Sequence, residues 1–169
     1  MRLRPGRLSP EMLAALAEER QAVSFASRFD PVHRFANLKF VFDDGVSRVI
    51  SLPDAVAREF TDHGGEVMAA LNRRHGPTVL AKYRPGPRHG GDGPPAIDDE
   101  VINPAENNRR CIASSFEMHV AGDAVLLAFE VEFNIYSAFT MPLTVGARLF
   151  HELRLRLVEH EDRVTALAH

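Results

Sequence analysis

The sequence predicts an α+β fold: an antiparallel sheet built from two hairpins, each followed by an amphipathic helix, plus an N-terminal helix. Three observations carry this expectation. Leu38, Phe40 and Phe42 alternate with Asn37, Lys39 and Val41 and run into Asp44-Gly45. Phe116, Met118 and Val120 run into Gly122-Asp123. Each pattern leads on to an apolar-Pro dipeptide, Leu52-Pro53 or Met141-Pro142, that opens a stretch of helical spacing. The recurrence makes an internal ββα duplication a candidate. Aligning the two dipeptides matches Val56 with Val145 and Phe60 with Leu149, but the helix interiors then diverge, so chance accounts for the likeness equally well.

At 169 residues with 45% apolar content, residues 1–169 read as one α+β domain with a real core. A Pro/Gly-rich loop over about 84–100 separates its two ββα halves.

Taking the elements in order, Ser9 is an N-cap with Pro10 at the first helical position and Glu11 suited to the helix dipole. Met12, Leu13, Leu16 and Ala17 form an apolar stripe, and the helix is expected to end near Arg20. Val23, Phe25 and Phe29 suggest a short strand before a turn at Asp30-Pro31. Asp44-Gly45 predicts a two-residue type I′ turn that sets Phe40 across from Val49. Asp54 opens a helix carrying Val56, Phe60, Val67, Met68 and Leu71, which Gly64-Gly65 is expected to interrupt or kink and Gly76-Pro77 to stop. Val79 to Tyr83 reads as a strand, and Arg84 to Pro95 as irregular chain.

The second hairpin is expected from Cys111 to Ala121 and from Ala124 to Tyr136, about a type II′ turn at Gly122-Asp123. That pairing sets Met118 against Leu127 and Phe116 against Phe129, and the apolar face continues through Val131, Phe133 and Ile135. The last helix carries Val145, Leu149, Phe150, Leu153 and Leu157, with Arg148 and Glu152 as an i,i+4 pair. Leu153 to Leu157 also alternates strictly, so residues 152–168 fit either a helix or a strand turning at His160-Glu161-Asp162.

A formal net charge of −3 gives no global attraction to nucleic acid or anionic lipid. Of the 20 basic residues all but Lys39 and Lys82 are Arg, the bias a GC-rich bacterial genome produces. Arg73-Arg74, Arg109-Arg110 and the Arg2, Arg4, Arg7 arm lack the aromatic interleaving of a nucleic-acid surface. Cys111 is the only cysteine, which fits a cytoplasmic protein without disulfides. The first residues lack the apolar run of a signal peptide, and nothing approaches a membrane-spanning length.

For chemistry, Glu117 and His119 on one strand and Glu130, Glu132 and Asn134 on its neighbour share the face opposite the apolar one. Carboxylates and an imidazole on adjacent strands, about 5 Å apart, can bind a divalent cation or act as acid and base. The register, however, sets Glu117 opposite Ala128 and His119 opposite Leu126, so these groups converge only diagonally and a solvated polar face is the plainer expectation. The glycines of Arg88 to Gly93 suit an anion, but the segment lacks the Gly-Lys-Ser/Thr ending of a P-loop. Cys111 follows two arginines that would favour its thiolate, yet no His partner can be assigned. His33, His63, His75, His151, His160 and His169 show no ligand spacing, and no cofactor signature is present. The sequence therefore favours a non-enzymatic interaction or accessory protein that homodimerises or binds another protein through a sheet face or edge and a helix. The alternative is a small metal-dependent enzyme or metal-binding protein centred on Glu117, His119, Glu130 and Glu132.

Overall fold

A computed structural model of the chain describes residues 8–17, 20–30, 34–83 and 111–168. The basic arm at Arg2, Arg4 and Arg7, Pro31, His33, the connector with Arg88 to Gly93, Arg109-Arg110 and His169 lie outside the described residues. The elements are α1 (Pro10–Ala17), β1 (Ala22–Asp30), β2 (Phe35–Phe42), β3 (Ser47–Pro53), α2 (Asp54–His75), β4 (Cys111–Ile112), β5 (Ser115–Ala121), β6 (Ala124–Glu132), β7 (Ile135–Pro142) and α3 (Leu143–Ala168). Among the described residues no helix is long and apolar enough to cross a membrane.

The fold is α+β, with two sheets ordered β1-β2-β3-β4 and β5-β6-β7, antiparallel except for the short parallel pairing of β4 on β3. The sheets meet at both ends. Thr140 N–H donates to the Arg20 carbonyl at 2.9 Å beside a Gln21–Thr140 bridge, while Ala113 N–H donates to Ser51 of one sheet and Ser114 N–H to Glu130 of the other. Each half thus carries three consecutive antiparallel strands before its helix; the sequence suggested the short strand ahead of the first hairpin but only two strands in the second half.

The second hairpin has the expected register, Met118 opposite Leu127 and Phe116 opposite Phe129, because Gly122 takes the positive φ (61°) that a tight turn demands. It ends earlier than expected. The chain reverses at Phe133 and Asn134, with Asn134 at φ 60°, so Phe133 (80% exposed) and Ile135 (53%) leave the apolar face, and β7 returns beside β6.

The first hairpin is one residue out from expectation. Phe42 N–H bonds Val46 and Gly45 N–H bonds Phe42 around Asp43, Asp44 and Gly45 (φ 83°), a three-residue loop, and Asp44 Oδ1 accepts from Val46 N–H. Phe40 therefore faces Arg48, and Val49 faces Lys39. In β1 a bulge at Val23 breaks the alternation, which explains the mixed sequence pattern and lets both Ala22 and Phe25 reach the core.

Helix α2 runs unbroken for 22 residues through Gly64-Gly65. Gly64 faces Phe150 of α3 so closely that a Cβ there would lie 2.3 Å from Cδ1 of Phe150; Gly65 faces open space. Close approach, not a kink, is what Gly64 permits. Val79 to Tyr83 forms a 3-10 turn (Leu80–Lys82) closed by bonds from Ala81 to Thr78 and from Tyr83 to Leu80, not a strand. Residues 143–168 are one helix, settling the helix-or-strand ambiguity.

The main core joins both sheets and both long helices through a run of aromatic rings. Phe40 lies 4.6 Å from Phe139, and Phe60 lies 4.8 to 5.3 Å from Phe116, Phe129 and Phe150, centroid to centroid. A second, smaller cluster lies on the other face of β6, where Leu8, Leu13 and Ala17 pack on Leu126 and Ala128. Strand β6 is consequently buried on both faces.

Candidate functional site

The four residues proposed for a metal are held on β5 and β6 but not brought together. Glu117, half-buried, lies opposite Ala128, and His119, exposed, opposite Leu126. Glu130 is buried, and its carboxylate accepts from Ser115 Oγ (3.2 Å), Ser114 Oγ (3.4 Å) and the Asn134 N–H (3.2 Å). Glu132 is exposed at the strand end, opposite Ile135 and beyond a shift of register. Among the described residues no three His, Cys, Asp or Glu side chains are grouped to hold a metal ion. The physical reason lies between them: Leu126 and Ala128 fill the middle of the face, and α1 covers it. This face of β6 is therefore not the solvated surface that alternation suggested.

The other chemically interesting residues have structural surroundings. Cys111 opens β4 opposite Ile50 and packs against the core. His63 sets Nδ1 2.8 Å from the Glu59 carbonyl and its ring edge-to-face with Phe116, while His75 lies 3.5 Å from Asp123.

Helix α1 departs furthest from ordinary packing. Ser9 Oγ accepts from Met12 N–H at 3.2 Å and the Ser9 carbonyl from Leu13 N–H, so the predicted cap forms. From Pro10 to Ala17 the only charged side chain is Glu11. Leu13 and Ala17 are spent on β6, yet Met12 (54% exposed), Ala14, Ala15 and Leu16 (46%) stay in water. A helix apolar all round is normally buried all round. The sequence presents Met12, Leu13, Leu16 and Ala17 as one apolar stripe; the absence of charge from Met12 to Ala17 was the available sign that the outer face is apolar too.

A buried polar cluster lines α3. The Glu152 carboxylate, 1% exposed, binds Arg156 through Nη2 (2.8 Å) and Nε (3.2 Å), not the expected Arg148. Arg148 instead lies over the Tyr83 ring, 5.6 Å from its centroid, with His151 at 6.1 Å on the same ring. Burial, and next the charge of Glu152, push the Tyr83 hydroxyl up to about 12. The interaction of the Tyr83 hydroxyl with the Glu152 side chain adds to that shift, and among the described residues Arg148 Nε is buried without a hydrogen-bond partner.

Compared with known protein families, curated proteins and solved structures, the chain matches none of them.

Proposed function

We propose that this chain is a non-enzymatic interaction or accessory protein of the cytoplasm that self-associates through α1. The observation that carries this reading is the exposed apolar face of Met12, Ala14, Ala15 and Leu16. A two-fold contact between identical helices suits its chemistry. Ala14 and Ala15 let two helix axes approach within about 8–10 Å, the spacing of close helix packing, with Met12 and Leu16 flanking the crossing. Antiparallel alignment carries the two Glu11 charges to opposite ends, where they do not repel.

Light scattering over a concentration series tests the proposal. The wild-type chain should approach twice its monomer mass. Burying a Leu side chain contributes about 1.5–3 kcal/mol, so Leu16→Glu, which also forces a charge into each half of the contact, should weaken association by more than tenfold while leaving the far-ultraviolet circular dichroism unchanged. A wild-type chain that stays monomeric at its highest attainable concentration, or a variant that still dimerises, would defeat the reading.

A further inference from the structure

We infer a second binding function: a small oxyanion site, for a phosphate or carboxylate group, formed by Arg20, Arg48 and Ser137 where the two sheets join. Both guanidinium groups rest on one buried ring, with their carbons 5.1 Å (Arg20) and 5.9 Å (Arg48) from the centroid of Phe42. Two like charges against one ring repel each other, and neither forms an ion pair among the described residues. Elsewhere arginines meet carboxylates: Arg58 pairs with Glu161, Arg74 with Asp123 and Arg156 with Glu152. Arg20 and Arg48 meet a phenyl face and a hydroxyl instead.

The groups around this point donate hydrogen bonds. Arg20 Nη1 is shielded from water and has no acceptor among the described residues. Arg48 Nη1 donates to Ser137 Oγ, which leaves the other N–H groups of its fork and the hydroxyl proton of the buried Ser137 available. The positions are firmly held. The Arg20 carbonyl takes Thr140 N–H (2.9 Å) and Thr140 Oγ1 (3.2 Å), and Ser137 sits three residues earlier on the same strand. Two guanidinium forks within 6 Å of one ring centroid, one of them bonded to a buried hydroxyl, are donors of the kind an oxyanion satisfies. Phe42 lies against both guanidinium groups, and the negative charge of an aromatic face tolerates a cation.

The test is thermal unfolding of the full chain titrated with inorganic phosphate and, separately, with acetate, each against sodium chloride at equal ionic strength. Saturable stabilisation by at least one oxyanion beyond chloride is expected, and the better of the two distinguishes a phosphate from a carboxylate ligand. Arg48→Gln and Arg20→Gln should each weaken the apparent affinity roughly tenfold or more, the loss expected of a charge-assisted hydrogen bond. Ser137→Ala keeps both charges and should weaken it by a smaller factor, and Arg58→Gln, at an arginine already paired, should leave it unchanged. No stabilisation beyond chloride with either anion overturns the inference, and so does a response that survives both arginine substitutions or falls equally with Arg58→Gln. Because wild-type protein alone supplies the first result, a variant that fails to fold does not shield the proposal.

Discussion

Gly64 and Gly65 are adjacent in sequence and opposite in environment, so one chemical change at the two positions should change stability with opposite sign. At Gly65 nothing lies within 4 Å of an added Cβ. Alanine there gains only the helix-propensity difference, about 0.8–1 kcal/mol. At Gly64 the same gain applies, but the new carbon would lie 2.3, 2.4 and 2.7 Å from Cδ1, Cγ and Cβ of Phe150. Rotating the ring about Cβ–Cγ relieves only the first contact, and Cβ is fixed by the backbone of α3. The helices must separate, and Phe150, buried against Phe60 at 4.8 Å, moves with them. Overpacking of this kind costs about 1–3 kcal/mol; a clash that cannot be rotated away belongs in the upper half of that range. Gly64→Ala should therefore lose about 1–2 kcal/mol net, and the two variants should differ by about 2–3 kcal/mol. For a domain of this size the separation in melting temperature is roughly 5 °C or more. Calorimetry and urea denaturation of the two variants beside wild type would read it. If Gly64→Ala is as stable as wild type, or Gly65→Ala is less stable, the close packing of α2 on α3 is not what the glycine serves.

Two further outcomes follow from buried polar groups. The Tyr83 hydroxyl, raised from 10.0 to about 12, keeps its proton in the folded chain where the unfolded chain has lost it; stability should hold below pH about 10 and fall as pH rises from about 10 to 12. Tyr83→Phe should remove that alkaline decline, measured by urea unfolding across the window. Glu130→Ala should cost about 2–3 kcal/mol in urea denaturation, because it strips the carboxylate acceptor from Ser115 Oγ and the Asn134 N–H together, while Ser114 Oγ keeps the residue-130 carbonyl at 3.3 Å; a loss under about 0.5 kcal/mol would show that this carboxylate does not hold the turn between β6 and β7.

What the sequence made legible depended on how tightly each turn constrained its strands. Gly122-Asp123 admits one tight reversal, and the register of β5 on β6 followed from it residue by residue. Asp43-Asp44-Gly45 admits both a two-residue and a three-residue loop, and side-chain capping of Val46 by Asp44 favours the longer one, which moves every pair in β2–β3 by one. The reversal at Phe133-Asn134 carries neither glycine nor proline, so β7 was hidden inside an apparently longer hairpin. Its composition, alternating Ser137, Phe139 and Met141 with Tyr136, Ala138 and Thr140, was strand-like all along. For Glu152, arginines stand four residues away on both sides; only the packing of Tyr83 against Arg148 decides that Arg156 is the partner. Glu117 and His119 stand opposite the expected Ala128 and Leu126, but sequence alternation could not reveal the shift of register before Glu132 or that a helix lies across that face.

The unbroken apolar run from Val125 to Phe129 was the sign of that helix, and it bears on function. Alternate members of the run, Val125, Leu127 and Phe129, enter the main core, and a one-sided sheet would have polar residues at Leu126 and Ala128. Those two instead form the floor for α1. A helix of eight residues is too short to persist alone in water, so the apolar face of Met12, Ala14, Ala15 and Leu16 exists as an ordered surface only because Leu13 and Ala17 are anchored on β6 and the Ser9 cap closes its first turn. The end of that segment is anchored as well: the Arg20 carbonyl binds Thr140 and its guanidinium rests on Phe42. Residues 8–17 and 20–21 thereby pack on β6 and bridge to Thr140 where the sheets join, and they carry both the proposed contact face and one cation of the proposed oxyanion site. Core residues conventionally read as packing alone are, in β6, what gives the proposed contact surface its shape.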